Sequence, residues 1–298
     1  MNFNPLYMTN LVSALDATSA NEQQLTEELS SGSRVNALSD DPVAAGENVF
    51  LSAQIGSDDT FSQTASSAQS MLQVTDTALS TVVSQLTTAV SLATEGNGGT
   101  LNASDLESIG NQIAGIRDEV LSLANTTYLG QYVFAGSRTG TEPFTLDTST
   151  TPPTTTYNGD GVTSSLETPS GQTIQLNMPG NQIFSAPGND VMGTLNALVA
   201  DFSSGSLSST AQADAQSLNA ALSYVTQQRV VIDNSLTRLS AAESYSQSEA
   251  TQLTSSQTNL LQADVGQVAT QLSTAETQQA ALSQVIATLG KQSLFNDI

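Results

Sequence analysis

Two pairs of adjacent carboxylates are the strongest candidates for catalytic residues in this chain. Asp40-Asp41 and Asp58-Asp59 could supply a general acid and a general base. Asp40-Asp41, however, stands directly before Pro42, and acidic residues at a helix start usually cap free N–H groups and complement the helix macrodipole. We therefore predict a capping role for these acids rather than acid–base catalysis.

The chain lacks the residue types on which most catalytic and metal sites depend. It contains no Cys and no His, which removes thiolate nucleophiles, thiolate zinc sites, the usual general base and the commonest metal ligand. The run Asn158-Gly159-Asp160-Gly161 lacks the alternating oxygen ligands and the closing Glu of a calcium loop, so it favours a tight β-turn. The sequence predicts a protein that is not an enzyme and has no catalytic, cofactor-binding or metal-binding residues and no cofactors.

The charge balance limits the partners that the chain can bind. Its 28 Asp and Glu residues against 6 Lys and Arg give a formal net charge of −22. Binding to nucleic acid needs clustered cations, so we predict no nucleic acid partner. Charged residues make up only 11% of the chain, so solubility depends on Ser, Thr, Gln and Asn, a composition typical of extracellular or assembling subunits.

The sequence carries no apolar run of the length that a membrane span requires, which is about 20 residues. The first six residues, MNFNPL, have neither a basic stretch nor a continuous apolar core. We expect no membrane insertion, and we expect that any export proceeds without a cleavable signal peptide.

The periodicity of the apolar residues predicts that the chain is built mainly from long amphipathic helices. An apolar stripe with alternating spacings of four and three predicts a first helix, and residues 30–33 (SSGS) predict its end, with Gly32 in a left-handed conformation. Asp41 and Pro42 then predict the start of a second helix. The first stripe comprises Leu11, Leu15, Thr18, Glu22, Leu25 and Leu29.

The second and third helices are predicted to form an antiparallel hairpin. A stripe between Ala68 and Ala93 continues the second helix to a glycine-rich turn at residues 96–99, and Asn102 to Asp105 can cap the third. The third stripe is the most regular in the chain. It comprises Leu106, Ile109, Ile113, Ile116, Val120 and Leu123.

The periodicity changes near Leu129 and predicts a small β-rich region. Residues 131–134, 142–146 and 172–177 are short and β-prone and are separated by Gly, Pro and Asn clusters. Residues 148–156 are almost wholly Thr, Ser and Pro, which predicts an exposed loop.

Helical periodicity returns after residue 190 and predicts a long helical segment over residues 211–290. The heptad phase shifts by one residue after Leu260, and a continuous helix would span about 120 Å. Arg229 occupies a position in the stripe where Leu or Val is expected. It either lies at the edge of the stripe with its head in water, which we favour, or marks the register of the seam. The last stripe comprises Val265, Val268, Leu272, Ala275, Gln279, Leu282, Ile286 and Leu289.

We predict a mainly α chain in which both ends form a long antiparallel helical bundle or coiled coil around a small β-rich inserted domain. The expected domains are a terminal coiled-coil domain (1–40 and 264–298), a helical-bundle domain (41–135 and 205–263) and a β-rich outer domain (136–204). Because one amphipathic helix cannot bury its own stripe, the two ends should pair or stay disordered until neighbouring subunits cover them.

Two runs near the N-terminus carry a resemblance to a known family. Residues 29–36 (LSSGSRVN), followed by residues 39–44 (SDDPVA), closely resemble the N-terminal signature of the flagellin family. The resemblance covers both helical ends, roughly residues 1–135 and 205–298. It implies coiled-coil ends that form an inner tube, an outer helical layer and a β domain that faces the exterior.

Two further features resemble the junction proteins between hook and filament more than the filament subunit. They are residues 132–137 (YVFAGS), with the later runs Pro143-Phe144 and 157–160 (YNGD), and the ending 292–298 (QSLFNDI). A flagellin of the filament, or a secreted adhesin whose β domain binds a surface, remains an alternative.

The family resemblance implies a structural subunit of the bacterial flagellum, placed outside the cell after type III export. Its expected partners are lateral copies of itself, a neighbouring hook-associated protein, flagellin and a flagellar export chaperone. Arg34 is expected at a subunit contact, with pairing to Asp40 or Asp41 as the simpler alternative. The expected assembly residues are Leu11, Leu15, Leu25, Leu29, Arg34, Asn36, Asp40, Asp41, Leu282, Ile286, Leu289, Leu294 and Phe295.

Overall fold

The computed structural model describes residues 5–294, and the prediction of a mainly α chain with an inserted β region is confirmed. The chain divides into a terminal unit (5–57 and 248–294) and a central unit (58–247), so the division falls within two long helices. The three-part domain division remains a prediction. The helices are α1 (Pro5–Ser31), α2 (Pro42–Gly96), α3 (Ala103–Ala124), α4 (Val191–Ser203), α5 (Ala211–Leu261) and α6 (Val265–Leu294).

The predicted start and stop signals of the first three helices act as expected. Gly32 follows the end of α1 with φ +67°, a left-handed conformation that glycine adopts without steric strain. Asn102 and Asp105 form a capping box at the start of α3, in which the Asp105 N–H donates to Asn102 Oδ1 at 3.0 Å.

The core of the central unit is built from the predicted helical stripes. Every residue of the α3 stripe from Leu106 to Val120 is buried, and α4 packs against α3. The stripe positions of α2 and α5 close the same core because their apolar side chains recur every three or four residues. Fully buried members on these two helices include Leu72, Leu79, Val82, Leu86, Leu218, Val225 and Leu239.

The β region consists of four separate two-stranded antiparallel hairpins within the central unit. The prediction of a loop over residues 148–156 is wrong at its end, because Thr154 to Thr156 lie in a strand that pairs with residues 145–147. Threonine is β-branched and fits a pleated strand, which explains the difference. The strands are β1 (Thr127–Tyr128), β2 (Gln131–Tyr132), β3 (Phe144–Asp147), β4 (Thr154–Tyr157), β5 (Ser165–Glu167), β6 (Thr173–Gln175), β7 (Ser185–Ala186) and β8 (Asn189–Asp190).

Three buried phenylalanines pack together beneath these hairpins. The ring of Phe184 lies edge-on to Phe134 at 5.2 Å and to Phe144 at 5.6 Å between centroids. Edge-to-face geometry is favoured by the aromatic quadrupole, so the cluster fixes the hairpins on the helical core.

The predicted long helical segment over residues 211–290 is not continuous, because the chain breaks between α5 and α6 at residues 262–264. Asp264 caps α6, because its Oδ1 accepts the N–H groups of Gly266 at 3.0 Å and Gln267 at 3.1 Å. The one-residue phase shift in the stripe marks this break. Val265, assigned to the stripe, is 52% exposed because it lies in the first turn, before the helix faces its partner.

Arg229 pairs with Asp76 across α5 and α2 in the central unit, and both side chains are partly buried. The favoured expectation of a guanidinium in water is therefore wrong, because a carboxylate on the facing helix binds it. Whether the pair selects the helix register remains a prediction.

Many Ser and Thr hydroxyls on the long helices donate to the backbone carbonyl four residues earlier. Examples are Thr87 to Val83 at 2.7 Å on α2 and Thr226 to Leu222 at 2.8 Å on α5. These bonds satisfy the hydroxyl donors within their own helix.

Candidate subunit interface

The terminal unit is built around an antiparallel pair formed by α1 and α6. Leu25 on α1 is buried in a small cluster with Ala263, Val268 and Ala275, and Ser19 accepts a 3.0 Å hydrogen bond from Gln279 further along the pair. The chain ends therefore pair within one molecule, which is the first of the two expected arrangements. The fully buried core of this pair is nevertheless small.

Most of the predicted stripe residues on α1 and α6 are not fully buried by the pairing of these two helices. Five of the leucine and isoleucine residues predicted for assembly are only half-buried, and Leu29 is 37% exposed. Leu294 ends α6 with only its backbone described, and Phe295 lies outside the described residues. The half-buried positions are Leu11, Leu15, Leu282, Ile286 and Leu289.

The turn after α1 lies directly against the break between α5 and α6. The Arg34 N–H donates to the Leu261 carbonyl at 2.6 Å, and the Ala263 N–H donates to the Gly32 carbonyl at 2.9 Å. Both bonds form at helix ends, one after α1 and the other between α5 and α6. They satisfy backbone groups that the helix ends leave without a partner.

The Arg34 guanidinium is held by this turn and by the end of α5. Its Nη1 donates to Asp41 Oδ2 at 3.0 Å and its Nη2 donates to the Leu260 carbonyl at 3.3 Å. The side chain is still 48% exposed. The pairing with Asp41 was the simpler of the two expectations, and it leaves one face of the guanidinium open to solvent.

Asp40 and Asp41 organise the turn and the start of α2, as the capping prediction required. Asp40 Oδ2 accepts the Ala37 N–H at 2.8 Å, and hydrogen bonds from Ala37 and Asn36 hold the pKa of Asp40 below its ordinary value. Asp41 Oδ1 accepts the Ala44 N–H at 3.0 Å, and that bond together with Arg34 lowers the pKa of Asp41. Both carboxylates are therefore stabilised in their charged form.

The side chain of Asn36 belongs to the same turn. Its Nδ2 donates to the Ser33 carbonyl at 3.1 Å. The sequence-predicted residues Arg34, Asn36, Asp40 and Asp41 are thus brought together, and each has a structural role within the chain.

An exposed apolar strip on the first turns of α2 was missed by the sequence analysis. Phe50 is 67% exposed, and Val43 and Val49 are exposed to a similar degree, whereas Ala44 and Leu51 are buried. Val43 and Phe50 are seven residues apart and share one helical face, a spacing that could have revealed the strip. Large exposed apolar side chains grouped on one face are typical of interaction surfaces.

Other kinds of site are not found in the part of the chain that the structure describes. Between residues 5 and 294, no cluster of three or more His, Cys, Asp or Glu side chains is placed to hold a metal ion. No helix in that range combines the length and apolar character needed to cross a membrane.

Residues 2–139 match the family model described as the bacterial flagellin N-terminal helical region. This range holds α1 to α3, the turn around Arg34 and the exposed strip on α2. The family resemblance of the turn is thereby confirmed.

Two curated proteins are similar to parts of this chain, and one of the two matches is longer than the flagellin region. Flagellar hook-associated protein 3 of Salmonella typhimurium is 30% identical over 182 residues, which is 61% of this chain and 55% of that protein. Flagellar hook-associated protein 3 of Escherichia coli is 38% identical over 123 residues, which is 40% of this chain and 38% of that protein. The chain thus matches about half or less of the length of these relatives.

Two solved structures share the fold. A protein from Vibrio parahaemolyticus described as flagellar hook-associated has a TM-score of 0.65 at 20% identity and covers 75% of this chain and 100% of its own. The flagellar junction protein from Legionella pneumophila has a TM-score of 0.54 at 13% identity and covers 64% of this chain and 98% of its own. At these identities the likeness establishes the fold alone.

Proposed function

We propose that this chain is a structural subunit of the bacterial flagellum at the junction between hook and filament. The observation that carries the proposal is the match of 182 residues to flagellar hook-associated protein 3, which extends beyond the flagellin N-terminal region. The role is mechanical and not catalytic. The chain supplies a helical connection between two axial structures.

Assembly would depend on the faces that the terminal unit leaves uncovered. The α1–α6 pair fully buries only a few apolar side chains, and Phe50 and its neighbours on α2 are covered by no described residue of the unit. Lateral neighbours would bury these surfaces, because apolar area removed from water contributes about 25 cal/mol per Å². Contacts between different faces of successive copies would not close into a dimer, as an axial structure requires.

The turn around Arg34 would contribute specificity to the same contact. Its guanidinium is held in place by Asp41 and Leu260 and keeps an open face, so a neighbouring carboxylate or carbonyl could bind without reorganisation. The proposed contact set is completed by apolar residues of α1, α6 and the end of the chain: Leu11, Leu15, Leu25, Leu29, Leu282, Ile286, Leu289, Leu294 and Phe295.

The proposed partners are lateral copies, a neighbouring hook-associated protein and flagellin. Before export, a flagellar chaperone would cover the apolar end of the chain, since an amphipathic helix such as α6 suits a chaperone groove. The proposed location is the flagellum outside the cell.

The filament subunit is the second candidate, and the flagellin N-terminal region favours it. The two roles predict different behaviour of the purified protein. A filament subunit polymerises alone into long filaments, whereas a junction subunit does not extend without hook partners. An adhesin, the third alternative, would leave motility intact when residues 137–200 are deleted.

A deletion strain tests the proposal directly. Cells without this protein should carry hooks, lack attached filaments and release flagellin into the medium, and the wild-type sequence should restore motility. A strain that still attaches normal filaments would contradict the junction role. A strain that makes no flagellin polymer, while its hooks retain their other proteins, would favour the filament subunit.

A further inference from the structure

A surface pocket of the central unit lies between α5 and the hairpin that β5 and β6 form. Its volume is about 380 Å³, and both elements contribute side chains to its lining. Small-molecule sites usually have volumes of about 300 to 1,000 Å³, so the pocket is large enough for a small ligand. Arg238, Ala241 and Tyr245 of α5 line one wall, and their spacing of three and four positions places them on one helical face.

The hairpin turn that forms the other wall is fixed by its own hydrogen bonds. The Thr168 hydroxyl accepts the N–H of Gln172 at 3.0 Å and lies 2.9 Å from the Ser170 hydroxyl. The Gly171 N–H donates to the Thr168 carbonyl at 2.8 Å. This wall is therefore ordered before a ligand arrives, which lowers the entropic cost of binding.

Arg238 brings to the pocket a positive charge that forms no ion pair within the described part of the chain. Its Nη2 donates to the Thr173 carbonyl at 3.0 Å, which holds the guanidinium beside the hairpin. The ion pairs found among the described residues use Arg34, Arg117 and Arg229 instead. An arginine without a carboxylate is unexpected in a chain with 28 Asp and Glu residues. The N–H groups that remain available suit an anion, and a carboxylate matches the planar guanidinium best.

The rest of the α5 wall is apolar and includes an exposed aromatic ring. Tyr245 is 61% exposed. Ala241 and Ala242 lie one turn before it and also line the pocket, and their short side chains leave space over the helix. Pro169 adds apolar surface from the hairpin. A tyrosine in this position offers a ligand an apolar ring face together with a polar hydroxyl tip.

We propose that this pocket binds an acidic saccharide through one hexuronate unit. A sugar ring has an apolar face of C–H groups, which suits the ring of Tyr245. It also has a rim of hydroxyls, which suits the Gln172 amide and the Ser170 hydroxyl. The carboxylate would accept hydrogen bonds from the available N–H groups of Arg238. The inference goes beyond the structural role proposed above and does not depend on it.

An acidic peptide is the competing occupant, because it also carries carboxylates. An extended peptide that binds to a strand edge pairs its backbone with free N–H and C=O groups. In this hairpin the Thr173 carbonyl is engaged by Arg238, and the Thr168 N–H donates to the Gln172 carbonyl at 2.7 Å. The polar groups that the pocket offers are mainly side-chain amides and hydroxyls, which favours the hydroxyls of a sugar.

Saturation-transfer difference NMR of the full chain with methyl galacturonide tests the proposal. Methyl galactoside is the matched neutral ligand, because a hydroxymethyl group replaces its carboxylate. The wild type should bind the acidic sugar with a dissociation constant of about 1 mM, the range that the ligand efficiency of small molecules sets. The neutral sugar should bind at least about tenfold more weakly, because it loses the charge-assisted hydrogen bonds.

Variants of the pocket separate the contribution of the charge from that of the ring. Arg238→Gln and Tyr245→Ala should each weaken binding of methyl galacturonide at least about fivefold. Arg238→Lys keeps the charge without the fork and should retain part of the affinity. Arg138→Gln removes the same charge from an exposed position outside the pocket and should leave the affinity unchanged.

Three results would overturn the proposal. The first is no saturable binding of methyl galacturonide up to about 20 mM. The second is equal affinity for the acidic and the neutral sugar, or equal binding by the wild type and a folded Arg238→Gln protein. The third is binding of N-acetylglutamate amide as tight as that of methyl galacturonide, which would show that the pocket recognises a carboxylate and not a sugar.

Discussion

Arg229 and Asp76 join α5 to α2 through two hydrogen bonds, from Nε to Oδ1 at 2.6 Å and from Nη2 to Oδ2 at 3.2 Å. The side chains are 34% and 22% exposed, so solvent screens the pair only in part. A two-point contact between a planar guanidinium and a carboxylate is directional, and here it joins residues 153 positions apart in the sequence. It adds a charged contact to the apolar core that α2 and α5 share.

Replacing Asp76 with Ala should lower the free energy of unfolding by about 1 kcal/mol, because a partly exposed two-point pair lies at the upper end of surface ion pairs. A double-mutant cycle with Arg229→Ala, measured by urea unfolding, should give a coupling energy of similar size. Asp59→Ala is the control and should change stability by less than about 0.5 kcal/mol. A coupling energy near zero would show that the pair does not stabilise the helices.

Replacing Arg34 with Ala should weaken assembly more than it weakens the monomer. The side chain is half exposed, so the melting temperature should fall by less than about 3 °C, whereas attachment of filaments in cells should decrease strongly. Arg34→Lys keeps the charge but not the forked geometry and should restore part of the assembly. Normal filament attachment by a folded Arg34→Ala protein would contradict the assigned contact.

The turn before α2 should lose stability in acid. Hydrogen bonds lower the pKa of Asp40 and Asp41 in the folded chain from an ordinary value of 3.8. When the folded pKa is lowered, the stabilising contribution is fully present above the ordinary value of 3.8 and is lost as the pH falls from there through the lowered folded pKa. Thermal unfolding of the wild type and of Asp40→Asn and Asp41→Asn should therefore differ from neutral pH down to the ordinary value and converge only below the lowered folded pKa values.

Asp59→Asn provides the comparison for this experiment, because it removes the same charge at an exposed position outside the turn. If the Asp40 and Asp41 variants differ from the wild type equally at every pH, their effect comes from the loss of shape rather than of charge.

Replacing Phe184 with Ala should be among the most destabilising single changes in the central unit. The ring is fully buried and lies edge-on to Phe134 and Phe144, so its loss leaves a cavity in a packed site. We expect the free energy of unfolding to fall by about 3 to 5 kcal/mol in urea. Val162→Ala, at a half-exposed position, should cost less than about 0.5 kcal/mol. A cost below about 1 kcal/mol for Phe184→Ala would mean that the neighbouring rings collapse into the space.

The helical part of the fold was predictable because its signals are local. The stripe on α3, the capping box at Asn102 and the left-handed Gly32 each depend on residues within one or two turns of one another. The break before Asp264 was visible as a phase shift, yet a shift alone does not distinguish a break from a drift in the stripe, so the sequence left the continuity of the helix open.

The contacts between distant segments were not predictable from spacing. The pairing of Thr154 to Thr156 with β3 is decided by a partner strand, and a run of Thr, Ser and Pro is equally compatible with a loop. The partner of Arg229 lies on another helix. The sequence therefore showed a charged residue in an apolar stripe but did not identify Asp76 as its partner. The same holds at the candidate interface, where the residues of the turn were identified but their bonds to Leu260 and Leu261 were not.

The threonine and serine hydroxyls that bond back to their own helix have a mechanical consequence. A helix whose hydroxyl hydrogens are already engaged gives an adjoining helix few directional bonds to form, and therefore few to break. Small axial displacement would cost little where no other bond crosses between α2 and α5, since apolar contact area changes gradually with displacement. The bonds from Arg229 to Asp76 and from Ser246 to Asp58 oppose that displacement, so resistance to sliding is concentrated at a few polar positions.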